Sequence, residues 1–314
     1  MTVEERVEVG SAGEPAPVRR SLLSRQVVAD LSLLLVTAIW GTTFVIVKEA
    51  VAVVPPLTFI ALRFTLATVA MAALFGRRLR GFGWREYAAG ALIGVFLFAG
   101  FVLQTLGLQL TSASTAGFIT GLSVVLVPFV GYFALGQRPG TGALVGVAAA
   151  TVGLALLSLG DDLSLGPGDA LVLGCAVAFA LHIVAVGRFA PRIDALALTL
   201  VQLAVVCALS WPSALALERP TVPMTLEFWL VLVFVGVVAT GLVFAIQNAA
   251  QRFTSPTHTA LIFTMEPVFA ALFARLWLAE ELGPRAAVGA VLILGGMLAA
   301  DLLPDRKGST DGRP

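Results

Sequence analysis

Residues 30–53 read DLSLLLVTAIWGTTFVIVKEAVAV, with Asp30 at the first position and the pair Lys48-Glu49 near the last turn. From Leu31 to Val47 nothing is ionised. As a helix rising 1.5 Å per residue, this run reaches about 36 Å, enough to cross ~30 Å of hydrocarbon. Similar runs recur at about 57–75, 88–109, 113–135, 141–159, 168–187, 194–213, 228–247, 257–278 and 286–303. Hydrocarbon offers no partner to a bare peptide group, and the alternation of a barrel strand is absent, so every run reads as helix. The expected fold is an all-α membrane protein with ten transmembrane helices joined by short connections. Composition agrees. With 58% hydrophobic and 12% charged residues and a mean hydropathy of +0.96, a soluble globule would expose more apolar surface than it could hide.

Charge asymmetry between alternate loops gives the expected orientation. Arg6, Arg19, Arg20, Arg25, Arg77, Arg78, Arg80, Arg85, Arg138, Arg188, Arg192, Arg252, Arg306, Lys307 and Arg313 fall on one side. These are fifteen of the 20 basic residues, so that side is cytoplasmic and holds both termini. The arginines are thereby explained by topology, and a net charge of +1 gives no reason to invoke nucleic acid. Residues 1–29 are polar, contain no signal-peptide core and read as a disordered cytoplasmic tail; residues 304–314 read as a second tail. Cys175 and Cys207 lie in separate runs, where packing is the simpler reading than a disulfide.

The chain also repeats. An offset of 143 residues lays Gln104 on Gln247, Thr111-Ser112 on Thr254-Ser255, Val145-Gly146 on Val288-Gly289 and Gly153 on Gly296; an offset of 139 lays Arg63 on Gln202. The matches fall at equivalent places relative to the runs. Two halves follow, 30–159 and 160–303, each with five crossings. Five is odd, so the second half enters from the opposite face and the two form an inverted repeat, an architecture of secondary transporters.

Several motifs point the same way: Trp40-Gly41-Thr42-Thr43-Phe44, Leu62-Arg63-Phe64, Thr111-Ser112-Ala113, Leu135-Gly136-Gln137, Met265-Glu266-Pro267-Val268-Phe269-Ala270 and Leu278-Ala279-Glu280. In these the chain resembles the drug/metabolite transporter superfamily, in its ten-span branch of two EamA-type repeats. Gln137 departs from the acidic residue more usual there. The resemblance implies transport of small metabolites across the bacterial inner membrane, a cavity between the repeats, and helices 5 and 10 outside that cavity.

An ionisable group at mid-membrane costs about 2.5–3.5 kcal/mol on insertion scales and normally faces protein or a wet cavity. Glu266 is the foremost case. Pro267 after it frees a carbonyl about one turn back, so carboxyl and broken backbone face one place. Glu266 then either binds a proton or a cationic group, or is an interior carboxyl joining helices. Arg63 lies six residues into the second run, either snorkelling or pairing helices, lining the outer part of the cavity, or pairing with an acid such as Glu49. His182 is a satisfied interior histidine or a proton relay. Trp40 fills the core or supplies a stacking wall. Gln104 and Gln247, with Asn248, sit near ends of the third and eighth runs, on opposite faces of the membrane, as gate groups or helix-end hydrogen bonders.

No phosphate-cradling loop, nucleophile elbow or His-Glu-x-x-His occurs, and two histidines with two cysteines make no metal cluster, so neither cofactor nor metal is expected. The expected function is secondary transport, driven by protons through Glu266 or His182 or run as facilitated export or exchange. Amphipathic, amino-acid-like compounds moved outward are the first candidates. A lipid-modifying membrane enzyme would need acidic, His or Ser groups clustered at one interface, whereas here they are scattered singly. A channel would show a continuous polar stripe and flux without saturation, and a non-transporting accessory subunit would keep the fold and move nothing.

Overall fold

The computed structural model describes residues 17–136, 138–158, 166–277 and 283–303. Helix α1 (Pro17–Gly41) begins at a proline, whose fixed φ and missing N–H suit a first turn. The expected tail of residues 1–29 is corrected from Pro17 onward, where the chain is already helical. No glycine or proline interrupts Val18–Asp30, so the first apolar helix continues upstream. Gln137 and Glu280 of the motifs lie outside the described residues.

After α1 come α2 (Thr43–Val53), α3 (Pro56–Phe75), α4 (Trp84–Leu110), α5 (Ala113–Gly121), α6 (Ser123–Leu135) and α7 (Thr141–Ser158). The second half holds α8 (Pro167–Phe189), α9 (Ala195–Leu217) and α10 (Leu226–Val233), which runs through a π-helical stretch, Phe234–Leu242, into α11 (Val243–Ala250). The chain closes with α12 (Pro256–Phe263), α13 (Met265–Trp277) and α14 (Pro284–Leu302). Among the described residues there is no strand. Seven helical rods of 21 to 29 residues are long and apolar enough to cross a membrane, and Thr141–Leu156 and Pro284–Ala300 are shorter apolar helices. This is a multi-pass membrane protein.

Local structure repeats along with sequence. Ser112 caps α5 by accepting from the Thr115 amide at 3.0 Å, and Ser255 caps α12 by accepting from the His258 amide at 3.2 Å. One helical segment later both rods break, at Leu122 (φ −62, ψ −11) and at Thr264 (φ −66, ψ −11). Helix α6 then ends at Gly136, whose φ of 66 is the left-handed C-terminal geometry that glycine adopts without a Cβ penalty.

Packing is reciprocal between halves. Helix α4 lies on α8 and α9, and α3 lies on α9 and the π-helical stretch, while α5 and α6 lie on α8 as α12 and α13 lie on α1. Helices α7 and α14 pack on each other, backbone to backbone: a Cβ built on Gly146 would lie 2.6 Å from the Gly296 carbonyl, and one on Gly153 2.6 Å from the Gly289 carbonyl. Gly289 and Gly296 are the offset partners of Gly146 and Gly153.

Polar contacts sort the connections into two ends. At one, Arg78 pairs with Asp194 at 2.7 Å and His258 meets Asp30 at 3.1 Å. At the other, Lys48 Nζ donates to the Thr111 carbonyl (2.8 Å), Thr111 Oγ1 donates to Asp169 (2.6 Å), and Glu218 accepts from the Leu57 and Thr58 amides and the Thr58 hydroxyl, each at 2.8 Å.

Candidate functional site

Where α1 meets α2, the backbone turns at Thr42, and the hydroxyls of Thr42 and Thr43 donate back to the carbonyls of Ile39 (2.7 Å) and Trp40 (2.8 Å). Gly41 makes the break fit: a Cβ there would lie 2.9 Å from the Glu266 carbonyl and 3.0 Å from the Ala270 amide nitrogen. The broken first rod therefore rests against the broken rod α12–α13. Met265 opens α13, which puts Glu266 and Pro267 in its first turn. A helix N-terminus favours a carboxylate, and a proline in the first turn sacrifices no intrahelical bond.

Between these breaks lies a cavity of about 850 Å³, its open mouth included. Trp40, Arg63, Gln104, His182, Gln247, Glu266 and Pro267 all line it. Asn248 does not: buried, it donates from Nδ2 to Thr199 Oγ1 at 2.8 Å. Gln104 and Gln247 both line the one cavity. Helix α4 runs on past Gln104 to Leu110, whereas Gln247 lies in the last turn of α11, where its carbonyl accepts from the Gln251 amide at 2.8 Å. Gln104 donates to Thr120 Oγ1 (3.2 Å) and Gln247 to Gln251 Oε1 (3.0 Å), leaving Gln247 Oε1 without a partner among the described residues.

Arg63 is buried at 4% exposure. Its Nε donates to Thr240 Oγ1 at 2.6 Å, and its guanidinium carbon stands 4.6 Å from the centre of the Phe101 ring. Arg63 lines the cavity and, through Thr240, also joins α3 to the π-helical stretch; no ion pair with Glu49 occurs among the described residues. The π-helical stretch that receives it has no mark in the sequence. Thr240 Oγ1 donates to the Val235 carbonyl (2.7 Å), five residues back, and the Trp40 indole N–H donates to the neighbouring Ala239 carbonyl (3.0 Å). Two cavity side chains from the first half are thus fixed to one irregular turn of the second.

His182 is buried, its Nε2 2.8 Å from Gln202 Oε1 and its ring edge-on to Phe244. The remaining wall is aromatic. Trp40 meets Phe244 and Phe263 at centroid distances of 5.5 and 5.3 Å, and Phe101 meets Phe179 at 5.6 Å and Phe244 at 6.0 Å. Sequence reading passes over Phe101, Phe179 and Phe244 because a phenylalanine in an apolar run carries no mark of which way it faces. No group of three or more metal-ligating side chains occurs among the described residues.

A sequence profile of the EamA-like transporter family matches the chain twice, over residues 27–159 and 166–300. An uncharacterized transporter of Archaeoglobus fulgidus is 32% identical, covering 88% of this chain and 87% of that protein. The uncharacterized transporter YvbV of Bacillus subtilis is 26% identical over 84% of this chain and 88% of its own length. Among solved structures, one crystal structure superposes with a TM-score of 0.74 over 89% of this chain and 97% of the other; at 22% identity that likeness concerns the fold alone. With both of its halves matched by the same profile, the chain belongs to the EamA-like transporter family.

Proposed function

We propose that the protein is a secondary transporter of the inner membrane that moves small amphipathic metabolites, amino-acid-like compounds first among them, outward by alternating access. The observation that carries this reading is the central cavity, which both repeats line and which holds Arg63 and Glu266 inside an aromatic wall. An apolar pocket with a few convergent polar groups is the usual form of a small-molecule site. We read α7, the α12–α13 rod and α14 as crossings beside the seven long rods, giving ten spans in two inverted repeats that divide near residues 159–165. Excess arginine on the Arg78–Asp194 end supports cytoplasmic termini. Two inverted copies give inward-open and outward-open states of similar energy, so rocking about a fixed site exposes it to each side in turn. Glu266 is the first residue we assign to substrate or proton binding, with His182 second; Trp40, Gln104 and Gln247 shape the cavity, and Asn248 braces the helices behind it.

The test is flux in liposomes holding the purified chain, run with amino acids, nucleobases, sugars and cationic drugs, with and without a pH gradient. Movement of at least one solute class, accelerated by the gradient if protons are coupled, is the expected result. Failure of every class in both directions contradicts the proposal.

A further inference from the structure

The connection from α3 to α4 is a single 3-10 helix, Gly76–Gly81, reading GRRLRG. Three residues per turn stack side chains three apart along one edge, so the segment has three edges. Leu79 takes the inward edge, packing with Phe75 on the core that holds Phe64, Met71 and Leu203. Arg78 takes the second, its Nη1 donating to Asp194 Oδ2 at 2.7 Å, which ties the segment to the N-cap of α9. Arg77 and Arg80 share the third edge. Both are exposed, as is Arg85 in the first turn of α4, and none of the three has an acidic partner among the described residues. The acids of these elements are turned elsewhere. Asp194 also accepts from the Leu196 and Ala197 amides at 3.1 and 3.0 Å, and Glu86 folds back over Gly83, its Oε2 2.8 Å from where a Cβ on that glycine would stand. Beyond Asp194, exposed Arg192 adds further positive charge, with its Nη1 donating to the Arg188 carbonyl at 3.0 Å.

Apolar side chains flank the three free arginines. Leu74 is 71% exposed at the end of α3, and Trp84 is 76% exposed at the start of α4. In a chain that crosses a bilayer, exposed leucine lies against lipid chains and tryptophan prefers the headgroup layer. The guanidiniums between them therefore stand at the depth of lipid phosphates, which they fit by paired hydrogen bonds. We propose that Arg77, Arg80 and Arg85 form a site for the phosphate of an anionic phospholipid, whose chains lie against Leu74 and Trp84. A zwitterionic lipid brings its own cation beside its phosphate and gains less from the same arginines. Each basic side chain at an anionic lipid surface is worth about fivefold in affinity, so Arg77 and Arg80 together supply about thirtyfold. Because Leu79 and Arg78 fix the segment to the core and to α9, a bound headgroup clasps α3, α4 and α9 at this end. The site is separate from the central cavity and independent of the solute that crosses.

The experiment is a thermal-shift titration of the full chain in neutral detergent with phosphatidylglycerol, with phosphatidylcholine of the same chains, and with glycerol 3-phosphate as a headgroup without chains. Binding to the folded state raises the melting temperature by mass action. The expected result is that phosphatidylglycerol acts at concentrations about tenfold or more below phosphatidylcholine, while glycerol 3-phosphate gives no shift at the same concentrations. In Arg77→Gln/Arg80→Gln the preference between the lipids should fall below about fivefold. Arg138→Gln/Arg252→Gln removes the same charge from two other connections and should keep it. Each protein is compared with its own unliganded melting point, so a change in stability does not hide the result. Should the first double variant fail to fold, Arg85→Gln alone should narrow the preference by about fivefold. Equal action of the two lipids on wild type, or no shift with either, overturns the proposal. An equal loss in both double variants overturns it in favour of net charge alone, and a shift from glycerol 3-phosphate as large as that from the lipid overturns it in favour of a soluble anion.

Discussion

Replacing Thr240 with valine keeps the shape of the side chain and removes one hydroxyl, which joins two parts of the cavity wall. That oxygen accepts from Arg63 Nε at 2.6 Å and donates to the Val235 carbonyl at 2.7 Å, inside the π-helical stretch. Neutral side-chain bonds between membrane helices average about 0.6 kcal/mol. The bond from Arg63 is different, because its donor is charged and buried, and such bonds are worth about 1.5–3 kcal/mol. We expect Thr240→Val to lose about 2–3 kcal/mol, with the guanidinium left one partner short. Thr240→Ser keeps the hydroxyl and gives up only a methyl group, about 1 kcal/mol. At about 2 °C per kcal/mol for a chain of this size, the valine variant should melt roughly 4–6 °C below wild type and the serine variant about 2 °C below. The assay is fluorescence-monitored melting of both variants in one detergent. A valine variant no less stable than the serine variant would refute the idea that Thr240 anchors Arg63.

Three further substitutions bear on the frame. Glu218→Ala removes the acceptor of three hydrogen bonds at the start of α3 and should cost about 2 kcal/mol, with Glu218→Gln losing less; equal melting of all three proteins would contradict this. In Gly146→Leu the new Cβ meets the Gly296 carbonyl at 2.6 Å, and ordinary contact at 3.4 Å requires α7 and α14 to part by 0.8 Å (3.4 − 2.6). The expected loss is about 1–3 kcal/mol by chemical denaturation, and a stable variant would mean that the two helices are not in backbone contact. Trp40→Phe should retain ring contacts with Phe244 and Phe263 but lose the indole bond to the Ala239 carbonyl, lowering stability by about 1 kcal/mol, while an unchanged melting point would show the indole bond to be idle.

The helices are legible in the sequence because hydrocarbon imposes one rule on every backbone group, so length and apolarity place a rod such as Trp84–Leu110 with little further information. Breaks within rods are less so. Pro267 announces one near Glu266, and the fold places it at Thr264, one turn earlier, because a proline sits comfortably in the first turn of the helix that follows. The π-helical stretch Phe234–Leu242 carries no proline to mark it; what holds it is tertiary, the indole of Trp40 and the guanidinium of Arg63 reaching carbonyl and hydroxyl 199 and 177 residues away. Burial cost picks out Arg63, Glu266 and His182, which do converge on the cavity. Gln104 and Gln247, read near the ends of their runs, line the same cavity, Gln247 from the last turn of its helix. Residues 17–29 read as tail because polarity signals solvent, not coil, and a helix can be polar.

The central claim is that solute crosses through the cavity between the repeats, and Gly117 offers the most direct way to close it. A Cβ there meets nothing within 4 Å although the residue lines the cavity, so Gly117→Trp should fill the space without disturbing the packing around it. The measurement is initial flux against solute concentration in liposomes, for wild type and Gly117→Trp, with melting temperature recorded for both. The account predicts saturable flux in wild type and its loss in a variant that melts within a degree or so of wild type. Undiminished flux through Gly117→Trp, or wild-type flux that rises without saturating, would contradict it.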